Sequence, residues 1–274
     1  MDPVATTALY TAMIRARESA RPDRLFNDPL AGALAGPQGA ELISWMEATS
    51  PGAADIPVIP IRTRFFDDAL ERIVGQSGVD QIVLLAAGMD TRAFRLSLPP
   101  GSTLFEIDRT EVLDVKAARL AELGARPRCR RVAIPADLNA DWSASLCASG
   151  FDRRRPAVWF AEGLSLFLTD AQVHQLLATL SELAVSGSWL CVDAVSRWVL
   201  TSPQLAGFVA MFAANGSPFQ FGTDDPENLV RAHGWQPQVT QFGAPTANFG
   251  RWTMPEAYGY DSNIPYGYLI IAQQ

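Results

Sequence analysis

Small and acidic residues follow several apolar runs of this sequence, in places where they could bind a ligand. The first run, residues 82–85, ends in Ala86, Ala87 and Gly88. Small residues at the carboxyl end of a buried parallel strand let a ligand approach the backbone closely. Small residues also serve tight strand-to-helix packing, so this turn alone is a weak indication of a binding site.

An acidic residue ends the next apolar run, because Asp108 stands 20 residues after Gly88. That spacing is typical of a carboxylate that accepts hydrogen bonds from the two hydroxyls of a ribose. A helical pattern over residues 112–123 follows Asp108, and a helix N-cap is therefore the competing interpretation.

Two later apolar runs also end in polar groups. Asp137 and Leu138 follow the third run, and Glu162 follows the fourth. The carboxyl ends of parallel strands share one edge of a sheet, where open α/β sheets bind their ligands. Four successive strands therefore predict one ligand site.

The same segments resemble the leucine carboxyl methyltransferase family of S-adenosylmethionine-dependent methyltransferases. This family includes the protein phosphatase 2A methyltransferases and bacterial polyketide carboxyl methyltransferases. The matching segments lie within residues 15–168 and read RARESARPDRLFNDPLA, IRTRFFDDAL, LLAAGMDTRAFRL, FEIDRTEVLDVK, ADLNADW and FAEGLSLFL. Their combination and order are far more specific than any one segment.

The resemblance implies S-adenosylmethionine as the cofactor and S-adenosylhomocysteine as its product. It implies that Arg62 pairs with the methionine carboxylate and that the turn of Ala86 and Gly88 lies against the methionine part. It also implies that Asp108 holds the ribose, that Asp137 and Leu138 border the adenine, and that Glu162 lies near the sulfonium. An arginine fork suits a carboxylate, and acidic groups suit hydroxyls and a positive charge.

Two positions depart from the family pattern. Ala86 stands where the family has the first glycine of Gly-Ala-Gly, and Thr110 stands where a proline is common. The extra methyl group at Ala86 predicts weaker or slightly shifted cofactor binding, not its loss. Thr110 is not expected to touch the chemistry.

The order of elements predicts a single α/β domain over residues 1–274. Strand and helix patterns alternate, which predicts a doubly wound, mostly parallel, seven-stranded sheet of the Rossmann-like class I methyltransferase type. We expect an N-terminal helical cap over 1–60, a cofactor-binding core over 78–193, a lid insertion over 194–235 after strand 5, and terminal strands over 236–274.

The expected lid and the last connection are rich in aromatic side chains. The lid contains Trp198, Phe208, Met211, Phe212, Phe219 and Phe221. These side chains could enclose an apolar acceptor, or they could simply pack on the core. The length of the last connection is typical of a loop that is functional or disordered. Its aromatic residues, Phe249, Trp252, Tyr258 and Tyr260, favour a functional loop.

Composition limits the classes of partner. A net charge of −7 and a pI near 4.9 argue against nucleic acid. The arginine clusters within 126–131 and 153–155 are interpreted as solvated loops. The sequence contains no run of 18 apolar residues, so we expect no membrane span. It also shows no pattern of a signal peptide, so we expect a cytoplasmic protein. The three cysteines, interpreted as buried apolar side chains, lack the spacing of a disulfide framework or a metal site.

The scarcity of histidine favours an acceptor that needs no base. A carboxylate is ionised at neutral pH, whereas a phenol, with a pKa near 10, usually needs a general base. His174 and His233, the two histidines, are interpreted as structural. We therefore predict O-methylation of a small-molecule carboxylate, with an acceptor-positioning group among Arg24, Arg197, Arg251 and Tyr260. The alternatives are phenol or enol O-methylation, and a binding protein that retains the fold without transferring methyl groups.

Overall fold

The computed structural model describes residues 3–49, 55–253 and 267–274. Within these residues one sheet contains β1 (Gln81–Leu85), β2 (Thr103–Asp108), β3 (Arg130–Pro135), β4 (Ala157–Ala161), β5 (Trp189–Val195), β6 (Gln236–Gln241) and β7 (Gly267–Gln273). The helices are α1 (Pro3–Ser19), α2 (Ala31–Thr49), α3 (Val58–Ser77), α4 (Arg92–Arg95), α5 (Thr110–Glu122), α6 (Trp142–Ala148), α7 (Asp170–Leu183), α8 (Arg197–Thr201), α9 (Ala206–Ala214) and α10 (Pro226–Arg231).

The strands lie in the order β3-β2-β1-β4-β5-β7-β6. Strands β1 to β5 pair in parallel, and β7 runs antiparallel between β5 and β6. This topology confirms the predicted mostly parallel, seven-stranded α/β sheet. The strand order reverses between β1 and β4, and a crevice opens at such a switch point, outside the carboxyl ends of the strands.

Both faces of the sheet are covered, as the continuously apolar strands require. Successive side chains of β1 point to opposite faces, so Ile82 and Val83 belong to different core clusters. Ile82 packs in the cluster that contains Phe66 of α3, and Val83 packs in the cluster that contains Leu180 of α7. Together these two layers fix the strand ends that face the crevice.

The N-terminal segment is helical and interrupted at prolines. Pro22 and Pro29 lie between α1 and α2, and α2 is kinked where Gly36 adopts a φ of 62° before Pro37. The loop expected to reach Pro60 is shorter, because α3 begins at Val58. Proline is tolerated in the first turn of a helix, where its missing N–H has no intrahelical partner.

The region after β5 is divided between a cap and the sheet layer. Strand β5 continues to Val195, beyond the expected boundary at 193, and α8 and α9 follow it. Val230 of α10 is fully buried in the cluster on the α7 side of the sheet. Helix α10 therefore covers the sheet. Within the lid expected over 194–235, only residues that precede α10 face the crevice.

The arginine clusters are largely exposed, as interpreted, and some of their members form ion pairs. Arg131 donates to both carboxylate oxygens of Glu106 at 2.9 and 2.7 Å, and Arg154 pairs with Asp152 at 2.9 Å. Of the cysteines, Cys191 is buried, whereas the other two are half-buried. No helix in the described part of the chain is long and apolar enough to cross a membrane.

Candidate active site

A cavity of about 580 Å³ lies at the carboxyl ends of the parallel strands. This size is within the range of small-molecule sites, roughly 300–1,000 Å³. The residues predicted to bind the cofactor all lie in its wall, namely Arg62, Ala86, Gly88, Asp108, Asp137, Leu138 and Glu162. Residues that are up to 100 positions apart in the sequence, such as Arg62 and Glu162, are thus brought to one place.

The turn after β1 is held in an unusual backbone conformation. Ala86 and Gly88 both adopt a φ of 49°, in the left-handed region that favours glycine. A Cβ atom on Gly88 would lie 3.0 Å from the Cβ atom of Ala8 in α1. Glycine at 88 is therefore required by both the backbone conformation and the close approach of the cap.

Replacing Ala86 with Gly is expected to stabilise the protein. An L-residue in the left-handed region costs roughly 1–2 kcal/mol, which glycine avoids, while glycine gains entropy in the unfolded chain. We expect the free energy of unfolding to rise by about 1 kcal/mol in urea denaturation. Ala87→Gly is the matched control. It should lower the free energy of unfolding, because Ala87 has no positive φ and glycine only adds entropy to the unfolded chain. Equal destabilisation by both variants would contradict the strained turn.

Asp108 connects the β1 turn to the end of β2. Its Oδ2 atom accepts the backbone N–H of Gly88 at 2.6 Å, and its Oδ1 atom accepts the backbone N–H of Arg109 at 2.7 Å. Burial raises the pKa of Asp108, against the lowering effect of these two hydrogen bonds. No side chain caps α5, so the N-cap interpretation is not the one observed. Each carboxylate oxygen keeps a further lone pair for a ligand hydroxyl.

Arg62 is held by hydrogen bonds to two carboxylates near the carboxyl ends of β4 and β5. Its Nε atom donates to Glu162 at 3.0 Å, and its Nη1 atom donates to Asp193 at 2.9 Å. Among the described residues, no hydrogen bond involves the Nη2 atom of Arg62. An arginine oriented in this way offers one remaining nitrogen to an anionic group in the cavity.

A second arginine extends this buried ionic network. Arg92 of α4 donates to Asp67 at 2.9 Å, to Asp90 at 2.5 Å and to Glu162 at 2.8 Å. Burial alone would raise the pKa of Glu162, but the charges of Arg92 and Arg62 outweigh it and lower this pKa. The pKa of Asp90 is likewise lowered to about 2, mainly by Arg92 against burial.

Sequence reasoning missed parts of this network. Asp193 lies two residues before the end of β5, where the sequence predicted that strand to end, so the rule that assigned the other strand ends could also have found it. Asp67 lies on the buried face of α3 and cannot be recognised from the sequence, because its partners Arg92 and Arg95 are remote in the sequence.

The predicted residue Asp137 is exposed in the cavity wall, and its carboxylate accepts the backbone N–H of Asn139 at 2.9 Å.

The part of the cavity beneath the cap is apolar and aromatic. Phe219 has ring-centroid distances of 4.9 Å to Phe212, 5.5 Å to Phe167 and 5.9 Å to Phe208. Tyr10 of α1 meets Phe212 edge-on at 6.2 Å. We call these five residues the aromatic chamber. All five lie in the wall of the cavity.

The other aromatic residues of the expected lid have different places. Met211 packs between the cap helices and Phe221 packs on the sheet, while Trp198 is half-buried, and none of the three lines the cavity. In the last connection, Trp252 lines the cavity and stacks on Phe242 at 6.0 Å. Part of the aromatic insertion therefore lines the cavity and part packs in the core, while enclosure of an acceptor stays a prediction.

The predicted acceptor-positioning residues are not found in the described wall. Arg24 and Arg197 are exposed and lie outside it. Arg251 also lies outside it and pairs with Glu18 at 2.9 Å and with Asp23 at 3.1 Å. Tyr260 lies outside the described residues, as does Tyr258.

The two histidines contact each other away from the cavity. The Nδ1 atom of His174 lies 2.9 Å from the Nε2 atom of His233, and neither side chain lines the cavity. Burial, followed by the charge of His174, lowers the pKa of His233. This placement agrees with the structural interpretation of both residues and leaves the described cavity wall without a histidine.

Comparison with known proteins identifies the family. A profile described as leucine carboxyl methyltransferase matches residues 8–181, which contain the cap, the β1 turn and the ends of β2, β3 and β4. The chain belongs to the leucine carboxyl methyltransferase family. The profile match ends before β5, so Asp193 and the α9 part of the chamber lie outside it.

Relatives of this family member cover nearly the whole chain. Proteins of Frankia alni and Streptomyces coelicolor, both named "Putative S-adenosyl-L-methionine-dependent methyltransferase", are 37% and 36% identical, over 90% of this chain and 88% of theirs. A crystal structure of a DUF574 family protein from Streptomyces avermitilis has a TM-score of 0.67 at 16% identity and covers 99% of both chains. That likeness supports the fold of this leucine carboxyl methyltransferase family member.

Proposed function

We propose that the protein transfers a methyl group from S-adenosylmethionine to the carboxylate of a small molecule, a secondary metabolite. Membership of the family makes it an S-adenosylmethionine-dependent methyltransferase. The observation that carries the choice of a carboxylate is the cavity wall, which joins a charged edge to an aromatic chamber and has no histidine among its described residues.

The charged edge fits the cofactor. Asp108 would hold the ribose hydroxyls, and the Nη2 atom of Arg62 would take the methionine carboxylate. Leu138 and Asp137 would border the adenine, and Glu162 would lie near the positive sulfur. Bound in this way, S-adenosylmethionine supplies a methyl group activated by its sulfonium.

Three titratable groups of the described wall are poorly suited to remove a proton from a phenol, and a fourth, Asp108, whose pKa burial raises, would be occupied by the ribose. A general base works best with a pKa near the operating pH. The pKa of Glu162 is lowered by Arg92 and Arg62 against burial, and that of Asp90 is lowered to about 2. Burial raises the pKa of Tyr10 to about 12, which keeps its hydroxyl protonated. These groups suit a carboxylate acceptor, which has no proton to lose at neutral pH.

The contribution of the protein is then mainly alignment and exclusion of water. Holding two reactants in a productive geometry can supply roughly 7–11 kcal/mol of a barrier. The chamber is lined by rings from α1, from α9 and from the segments after β4 and after α9, and these would orient an acceptor against the charged edge.

Product analysis with paired acceptors tests this proposal. Aromatic and aliphatic carboxylic acids are incubated with the protein and methyl-labelled cofactor, beside phenols that have the same carbon skeletons. We expect label in the acids only, as methyl esters that mild alkali hydrolyses and that mass spectrometry detects. Alkali-stable methyl ethers of the phenols, with unlabelled acids, would refute a carboxylate acceptor.

A further inference from the structure

We infer that the acceptor is an aryl carboxylic acid whose ring lies in the aromatic chamber and whose carboxylate accepts a hydrogen bond from the hydroxyl of Tyr10. This inference rests on the proposed function. It assigns Tyr10 as a positioning residue and defines the substrate class by the shape and chemistry of the chamber.

Tyr10 is buried yet has an unused polar group. The residue is 7% exposed and lies in the cavity wall. Among the described residues, no hydrogen bond is formed by its hydroxyl. A tyrosine hydroxyl at the wall of an apolar cavity usually finds a hydrogen-bond partner. A ligand oxygen in the cavity would supply the missing partner.

The Tyr10 hydroxyl can act as a hydrogen-bond donor to an ionised oxygen. Burial raises the pKa of the hydroxyl to about 12, and the positive charge of Arg62 acts in the opposite direction. The hydroxyl therefore stays protonated and can donate. A hydrogen bond to an ionised acceptor is stronger than one between neutral groups.

The other polar groups near the chamber are engaged. Gln220 donates to the carbonyl of Phe167 at 2.7 Å, and Thr11 donates to the carbonyl of Ala8 at 3.0 Å. Both side chains lie in the wall. Unlike these two side chains, the Tyr10 hydroxyl has no hydrogen-bond partner among the described residues.

The chamber suits a ring better than a chain. Its phenyl rings meet at interplanar angles of 37° to 72°, so ring faces and ring edges both line the space. Aromatic pairs prefer such edge-to-face and offset arrangements and gain energy beyond the burial of area. An aryl ring placed among them would complete the cluster.

Calorimetric titration with 2-naphthoic acid, on protein saturated with S-adenosylhomocysteine, tests the role of Tyr10. We expect Tyr10→Phe to weaken binding of the acid about tenfold while the affinity for S-adenosylhomocysteine stays within about twofold. The matched control is Tyr268→Phe, which removes a hydroxyl from β7 outside the cavity wall and should leave acid binding unchanged. Thermal unfolding checks that both variants are folded.

A second pair of variants tests the ring. Phe219→Leu is expected to weaken binding of 2-naphthoic acid about threefold to tenfold, with little effect on decanoic acid. Phe221→Leu changes a phenylalanine two positions away that packs in the core, and it should have no such selectivity.

The outcomes separate the inference from the proposed function. No binding of S-adenosylhomocysteine to the wild-type protein would overturn the proposed function. Normal cofactor binding without binding of 2-naphthoic acid, or acid binding unchanged by Tyr10→Phe, would overturn only the inference. Equal losses for naphthoic and decanoic acid in Phe219→Leu would overturn the preference for a ring.

Discussion

Replacing Asp108 with Asn is expected to weaken the binding of S-adenosylhomocysteine by tenfold to about a hundredfold. The carboxylate offers charged acceptor oxygens to a ribose, and a hydrogen bond to a charged group contributes about 1.5–3 kcal/mol. Its two oxygens also accept the N–H groups of Gly88 and Arg109, and an amide has one acceptor oxygen for both. The turn that approaches the ligand therefore loses part of its support as well.

The stability of Asp108→Asn should change much less than its ligand affinity. Because burial raises the pKa of Asp108 in the folded state, the ionised carboxylate costs stability at a pH above that pKa. Removing the buried charge of Asp108 therefore offsets part of the stability that is lost with its hydrogen bonds. Asp141→Asn is the control, since Asp141 is an exposed N-cap of α6 and asparagine caps equally well. Affinity of Asp108→Asn within twofold of the wild type, measured by calorimetry, would remove Asp108 from the cofactor site.

Replacing Arg92 with Met is expected to cost about 3–5 kcal/mol of stability at neutral pH. The Arg92 side chain is 3% exposed and pairs with Asp67, Asp90 and Glu162. Removing one partner from a buried ionic network leaves the other charges uncompensated, which is far more costly than losing a surface pair. The guanidinium also lies 5.1 Å from the ring of Phe160, and that contact is lost too.

The loss in Arg92→Met should depend on pH in a defined direction. In the wild type the pKa values of Asp90 and Glu162 are lowered, so these carboxyls stabilise the fold above their unfolded pKa of about 4 and lose this effect below it. The variant lacks most of this stabilisation at neutral pH. The difference between the two proteins should therefore narrow as the pH falls from about 5 to about 3.

Urea denaturation at several pH values measures this difference. Arg231→Met is the control, because Arg231 forms an exposed i, i+4 pair with Glu227 at 3.0 Å and should cost much less. A loss below about 1 kcal/mol for Arg92→Met, or a loss that is independent of pH, would show that the network does not stabilise the fold.

The sheet and the charged edge were predictable because they follow local rules. An apolar run that ends abruptly in an acid is visible in one segment, and parallel topology brings such ends together. This reasoning placed Asp108 and Glu162 correctly in the cavity wall. The same rule applied to β5 would have added Asp193.

The ionic network, and the part of the chamber formed by Tyr10 and Phe167, were not predictable, because they depend on side chains that converge from distant segments. Tyr10 lies in the part of α1 before the segment that resembles the family, and the packing of α1 over the sheet edge brings it to the cavity. The arginines Arg24, Arg197 and Arg251 were predicted from residue type alone, and residue type does not show whether a side chain points into the cavity. The structure shows that Arg251 ties the last connection to Glu18 and Asp23 near the end of α1.

The pH dependence of kcat/KM tests the choice of a carboxylate most directly, once product analysis has found an acceptor. The acidic wall groups Glu162 and Asp90 have lowered pKa values, and that of Tyr10 is about 12. A carboxylate acceptor is fully ionised above its own pKa of about 4. We therefore expect a flat profile between about pH 7 and pH 9. A rise of about tenfold per pH unit toward the pKa of a phenol, about 10, would instead show that the reacting oxygen must first lose a proton.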